Sequence, residues 1–142
     1  MENFEIRFLS LEEMDGMIPF VELLNPGMEA SLIKSRLEEM KQLSFYKCLG
    51  AFDGEKLIAI CGMWEMTKFY SGKQIEIDNF MIYPEYRSKG LGKKVMDWIY
   101  DYGRKQNCLS IELNTYVGAA KAHKFYFREG FHIKGYHMEV DL

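Results

Sequence analysis

At 142 residues, 48% hydrophobic and 27% charged, the chain has the composition of one soluble globular domain large enough to bury a core. Its net charge of −3 argues against a general nucleic-acid binder, which carries a basic excess, and no apolar run approaches the roughly twenty residues that span a bilayer. The first residues, Met1-Glu2-Asn3-Phe4-Glu5, have neither the basic start nor the apolar core of a secretory signal, so a cytoplasmic protein is expected.

Phe4 to Leu9 is predicted as a strand. Ser10-Leu11-Glu12-Glu13 follows as a capping box, with Leu9 and Met14 spaced for a hydrophobic staple. The helix it starts carries Leu11, Met14, Ile18 and Val21 on one face and is weakened by Gly16 and Pro19. Asn25-Pro26 predicts a cap and first-turn proline for a second amphipathic helix, marked by Ala30, Ile33, Leu37 and Met40. Strands at Tyr46 to Phe52 and Lys56 to Trp64 join through Asp53-Gly54, a tight-hairpin signal.

A strand rich in Ile, Phe and Met runs from Gln74 to Tyr83, and a helix from Lys93 to about Gln106 presents Leu91, Val95, Trp98, Ile99 and Tyr102. A strand at Leu109 to Asn114 and a helix at Ala119 to Glu129 follow, with Gly130 as the helix stop. Phe131 to Ile133 and Tyr136 to Val140 are predicted to pair as the last strands. No repeat or linker interrupts residues 1–142, so one α/β (α+β) domain is expected, with a central mixed, mostly antiparallel sheet and about four helices. Cys48, Cys61 and Cys108 are odd in number and make no metal-ligand spacing with His123, His132 and His137; three buried thiols and no metal are expected.

Between the Gln74 strand and the long helix lies Arg87-Ser88-Lys89-Gly90-Leu91-Gly92-Lys93. A basic, doubly glycine loop there is a place to hold phosphate, because glycine admits left-handed backbone and the first N–H groups of a helix point at an anion. It is not a Walker loop, since Gly92-Lys93 is followed by Lys94, nor a dinucleotide fingerprint, since position 95 is Val. Downstream stand Asn114 and then Ala122-His123-Lys124-Phe125-Tyr126-Phe127-Arg128-Glu129-Gly130-Phe131.

These two motifs, in this order on these elements, resemble the acetyl-coenzyme A signatures of the GNAT N-acetyltransferase superfamily. The resemblance is strong over the C-terminal half and one of layout in the N-terminal half. It implies acetyl-coenzyme A as cosubstrate, its pyrophosphate on the N–H groups from Ser88 to Lys93 beside Arg87. It also implies a thioester carbonyl polarised by a backbone N–H near Met81 or Ile82, with Asn114 and His123 near the cofactor. Tyr126 occupies the position from which a phenol, protonated at neutral pH, serves as general acid to the departing thiolate. For the base, period-two alternation puts Ile75 and Ile77 on one face and Glu76 and Asp78 on the other. The resemblance favours Glu76, then Asp78, with water as a further route.

The acceptor implied is a small-molecule amine, and the Phe125 to Phe131 ending resembles aminoalkylphosphonate acetyltransferases. A cationic amine would suit the Glu76 and Asp78 face. Alternatives are a non-catalytic acyl-coenzyme A binder, a protein N-acetyltransferase and an unrelated phosphate-binding domain. No nucleic acid or membrane partner is expected; a homodimer is common among similar proteins.

Overall fold

The computed structural model describes residues 3–142. The strands are β1 (Glu5–Phe8), β2 (Tyr46–Asp53), β3 (Lys56–Lys68), β4 (Gly72–Ile82) and β5 (Ser110–Leu113); the helices are α1 (Ile18–Leu24), α2 (Ala30–Lys41), α3 (Leu91–Lys105) and α4 (Ala120–Arg128). The strands lie in one sheet in sequence order, and β1–β2, β2–β3 and β3–β4 are each antiparallel. This is the mixed α/β layout with a mostly antiparallel sheet that the sequence predicts. The chain divides into two compact units, Met1–Glu112 and Leu113–Leu142.

In the first unit, alternation along the strands builds two apolar layers. Tyr46, Cys48, Phe52, Ile60 and Met81 face Met14, Met17, Phe20 and Leu37 of the first helical segments. Ile75 and Ile77 lie on the opposite face of β4, and the Ile75 side chain approaches Gly103 of α3. The capping box forms as expected: the Glu13 N–H donates to Ser10 Oγ at 3.1 Å, and the Ser10 N–H to Glu13 Oε1 at 2.9 Å. It opens a 3-10 turn (Glu13–Met17) before α1, and Pro19 lies in the first turn of α1. Leu9 and Met14, the staple pair, are both buried.

Three details differ from expectation. Asn25 ends α1 instead of starting α2: its backbone N–H and its Nδ2 both donate to the Val21 carbonyl, at 2.9 and 3.0 Å. Cys48 and Cys61 are buried, but Cys108 is only half-buried. The third difference lies in the second unit, where residues 131–142 carry no strand, and Ile133, Tyr136, Met138 and Val140 are all at least 79% exposed. Their alternation encodes two faces; pairing also requires a neighbouring edge, a non-local condition that periodicity does not supply.

Candidate active site

The register of β3 on β4 shifts between Ile60 and Gly62. Ile60 pairs with Met81 and Gly62 with Asp78, so β4 spends one residue more than β3 over this interval. The extra residue is accommodated by a bulge at which Asn79 takes a φ of 45°, a left-handed conformation asparagine tolerates better than most residues. Asp78 is thus the last regularly paired residue before the bulge, and Met81 and Ile82 come just after it.

Glu76 and Asp78 share the face that carries Tyr46 and Trp64, as alternation predicts, and their surroundings differ. Glu76 is half-buried and pairs across the ladder with Trp64. Asp78 reaches inward: its Oδ2 accepts from Trp64 Nε1 at 2.8 Å, while Oδ1 has no exposed surface and no hydrogen-bond partner. Gly62 makes this possible, because a Cβ there would lie 2.0 Å from Asp78 Oδ1 and 3.1 Å from the Tyr46 hydroxyl. Burial holds the Asp78 carboxyl above its ordinary range, nearby Glu76 adds to this, and the Trp64 and Asn79 hydrogen bonds oppose it. Burial likewise drives Tyr46 well above the usual phenol value and Cys48 up to about 12, so both stay protonated at neutral pH. An upward shift makes this carboxylate a better proton acceptor than an ordinary one.

The same strand leads into the glycine loop. Arg87, exposed, turns its Nε back to donate to the Ile82 carbonyl at 2.9 Å, tying the loop to the end of β4. Ser88 has a φ of 61°, and Gly90, the residue that caps α3, a φ of 76°. No side chain caps this helix. The first-turn N–H groups of an α-helix lack intrahelical acceptors, so the chain offers them to an anion. Around Gly90 a Cβ would meet nothing within 4 Å, which leaves the backbone open to close approach. Lys89 lies over the Tyr86 ring and Lys93 pairs with Asp97 on the exposed start of the helix. Leu91 is buried and anchors the first turn to the core. A glycine-led, uncapped helix start with basic flanks fits a diphosphate.

In the second unit, Asn114 is exposed and α4 carries the remaining predicted residues. His123 Nε2 lies 2.8 Å from the Tyr116 carbonyl. Tyr126 is half-buried, with Phe125 and Phe131 edge-on at 5.3 and 5.4 Å, and its carbonyl accepts from the Phe131 N–H at 3.0 Å. Gly130, with a φ of 96°, lets the chain reverse there.

The structure therefore brings Glu76, Asp78, Met81, Ile82 and the 87–93 loop onto one continuous β4–loop–α3 piece of the first unit. The frame around Asp78 was not singled out from sequence. Tyr46, Gly62 and Trp64 were placed on strands, but nothing local marks them as neighbours of Asp78, because the strand register decides it.

The profile of the Acetyltransferase (GNAT) family matches residues 17–131. The chain belongs to this family. An uncharacterized N-acetyltransferase, YhdJ, of Bacillus subtilis (strain 168) is 27% identical over 128 residues, 89% of this chain and 90% of that protein. The spermine/spermidine N(1)-acetyltransferase of the same organism is 28% identical over 103 residues, covering 70% of this chain and 68% of that one. Among solved structures, the aminoglycoside N-acetyltransferase AAC(6')-Iy in complex with CoA superposes with a TM-score of 0.84 at 14% identity, covering 99% of this chain and 95% of that chain. Among the described residues, no helix is long and apolar enough to cross a membrane, and no cluster of His, Cys, Asp and Glu has the makings of a metal site.

Proposed function

We propose that the protein, acting as a single catalytic domain over residues 1–142, transfers an acetyl group directly from acetyl-coenzyme A to the primary amine of a small molecule. The observation that carries the reading is the coincidence, on one stretch of chain, of a carboxylate-flanked bulge in β4 and a glycine-led, uncapped helix start at α3. A relative that acts on spermine and spermidine, by its name, supports a small cationic amine.

Acetyl-coenzyme A, when bound, supplies an activated thioester. The N–H groups from Ser88 to Lys93 hold its diphosphate, with Arg87 keeping the loop in place. Backbone N–H groups near Met81 and Ile82 stabilise negative charge developing on the acyl oxygen. Asp78 takes the proton of the incoming amine. The upward tuning of its carboxyl favours it over Glu76, which in turn makes this face attractive to a cation. Tyr126 protonates the departing sulfur, and Asn114 and His123 contact the cofactor; these roles rest on the family motif.

Calorimetric titration of acetyl-coenzyme A, with ATP and NAD as controls, tests the cosubstrate. Turnover with a polyamine and monoamine panel, read by thiol release, tests the reaction. Tyr126→Phe should slow turnover roughly a hundredfold and leave acetyl-coenzyme A affinity unchanged. An unaltered rate across pH removes Tyr126 from the mechanism, and cofactor binding without turnover on any amine establishes the non-catalytic alternative. Acetylation of peptide N-termini in preference to small amines would make it a protein acetyltransferase.

We also propose a homodimer. The alternating apolar side chains of residues 131–142 stand exposed, and such surface in a protein of this size is commonly covered by a partner. Sedimentation velocity on the wild type and Met138→Glu tests this; a wild type that stays monomeric at high micromolar concentration refutes it.

A further inference from the structure

The end of α3 remote from the glycine loop meets the turn between β3 and β4. Phe69, Tyr70 and Ser71 make that turn, and its rings stand in solvent: Phe69 is fully exposed and Tyr70 is 71% exposed. Leu109, 78% exposed, lies at the base of the turn. A Cβ on Gly72 would stand 2.7 Å from its Cδ1, and its N–H donates to the Lys73 carbonyl at 2.8 Å. Three large apolar side chains thus project from one corner of the first unit, the kind of surface that marks an interaction site.

The charges at this corner have one sign. Residues 66–74 hold Lys68 and Lys73 and no carboxylate, and residues 104–109 hold Arg104 and Lys105 and no carboxylate. Lys68 Nζ lies 3.3 Å from the Tyr70 hydroxyl and over the Tyr70 ring. Lys73 Nζ donates to the Gln106 carbonyl at 2.9 Å, which ties the corner to the end of α3. Arg104 pairs with Asp101 on the preceding turn, and Lys105 is exposed. The carboxylates that act on Lys68, Glu76 and Glu112, are half-buried along β4 and β5.

This chemistry selects among occupants. A second copy would set lysines against lysines across a two-fold contact. A nucleic acid would stack its bases on open ring faces, whereas Lys68 lies over Tyr70 and Leu109 has no ring. Two aromatic rings and a leucine on a projecting turn, rimmed by lysines with apolar stems, suit the boundary layer of an anionic bilayer. The apolar groups enter among the headgroups while the ammonium groups reach lipid phosphates.

We propose that the corner formed by Phe69, Tyr70 and Leu109, with Lys68, Lys73 and Lys105 around it, docks the protein on an anionic membrane surface. Such a contact lies in the interface and needs no spanning segment, so it agrees with a composition that contains none. α3 has 15 residues, which puts the glycine loop about 22 Å away along the helix. The docking surface is therefore separate from the candidate active site, and it stands or falls without the acetyltransferase reading.

Co-sedimentation of the full chain with phosphatidylcholine vesicles, with and without phosphatidylglycerol, tests this. The protein should pellet with the mixed vesicles and stay in solution with phosphatidylcholine alone, and added salt should release it. Phe69→Asp and Lys68→Glu should each weaken binding roughly tenfold, with folding checked by circular dichroism. Met138→Glu, on the exposed tail, should leave it unchanged. Phe69→Trp should gain a blue-shifted emission on mixed vesicles, beyond that of Trp64 and Trp98 in the wild type, which lipid brominated in its acyl chains quenches. No binding to mixed vesicles, equal binding to uncharged ones, or wild-type binding in Phe69→Asp overturns the proposal. So does binding that Met138→Glu abolishes and Phe69→Asp spares. Without vesicle binding, single-stranded RNA held through Lys68 would assign the corner to nucleic acid, and a dimer split by Phe69→Asp would assign it to a second copy; either result overturns membrane docking.

Discussion

Asp78 shows how one side chain can be costly to the fold and useful to the chemistry. Its carboxyl is raised above the ordinary value, so the folded chain holds that proton more tightly than the unfolded chain does. The stability it contributes is complete below the ordinary carboxylate range and is lost as pH rises through the raised value. Asp78→Asn should therefore be more stable than wild type at pH 7.5, with the gap closing near pH 4. Urea midpoints at the two pH values measure it. The Asn oxygen can still accept from Trp64 Nε1, so the trade would be activity for stability. Gly62→Ala tests the same site from below: a methyl 2.0 Å from Asp78 Oδ1 must displace the carboxyl. Overpacking of that kind costs about 1–3 kcal/mol. The acceptor KM should rise while acetyl-coenzyme A affinity, measured by calorimetry, stays the same.

At the scale of elements, the start of α3 was legible in the sequence as a glycine loop between a strand and a helix. The reason is local: Gly90 supplies a left-handed backbone, and the lack of a capping side chain leaves helix N–H groups for a ligand. Gly90→Ala should cost about 1 kcal/mol through backbone strain alone, because its Cβ would touch nothing. Acetyl-coenzyme A affinity should fall several-fold as the helix start shifts; unchanged affinity in calorimetry would detach Gly90 from cofactor binding. The capping box was legible for the same reason, since Ser10 and Glu13 satisfy each other within one turn. Asn25 was misassigned because an asparagine beside a proline suits the end of one helix as well as the beginning of the next, and only the Val21 carbonyl shows which end it serves.

Across the whole molecule, protection should follow burial. Amides of Leu49, Ile60 and Ile77, strand residues that are each at most 2% exposed, should exchange hydrogen slowest. Those of residues 132–142, which carry no helix or strand, should exchange fastest by mass spectrometry. Strong protection of that tail would show that its strand pattern finds a partner in solution, as the proposed dimer requires. Taken alone, the sequence determined the elements as far as α4, their order, the faces of β4 and the glycine-led helix start, because these depend on periodicity and on residues within a turn of one another; the strand pair expected after Gly130 was not among them. Tertiary structure alone decided that the β4 bulge falls after Asp78, that Gly62 makes room for its carboxyl, and that Tyr46 and Trp64 stand beside it. Each of those depends on strand register, which is set by packing across the sheet between residues distant in the chain.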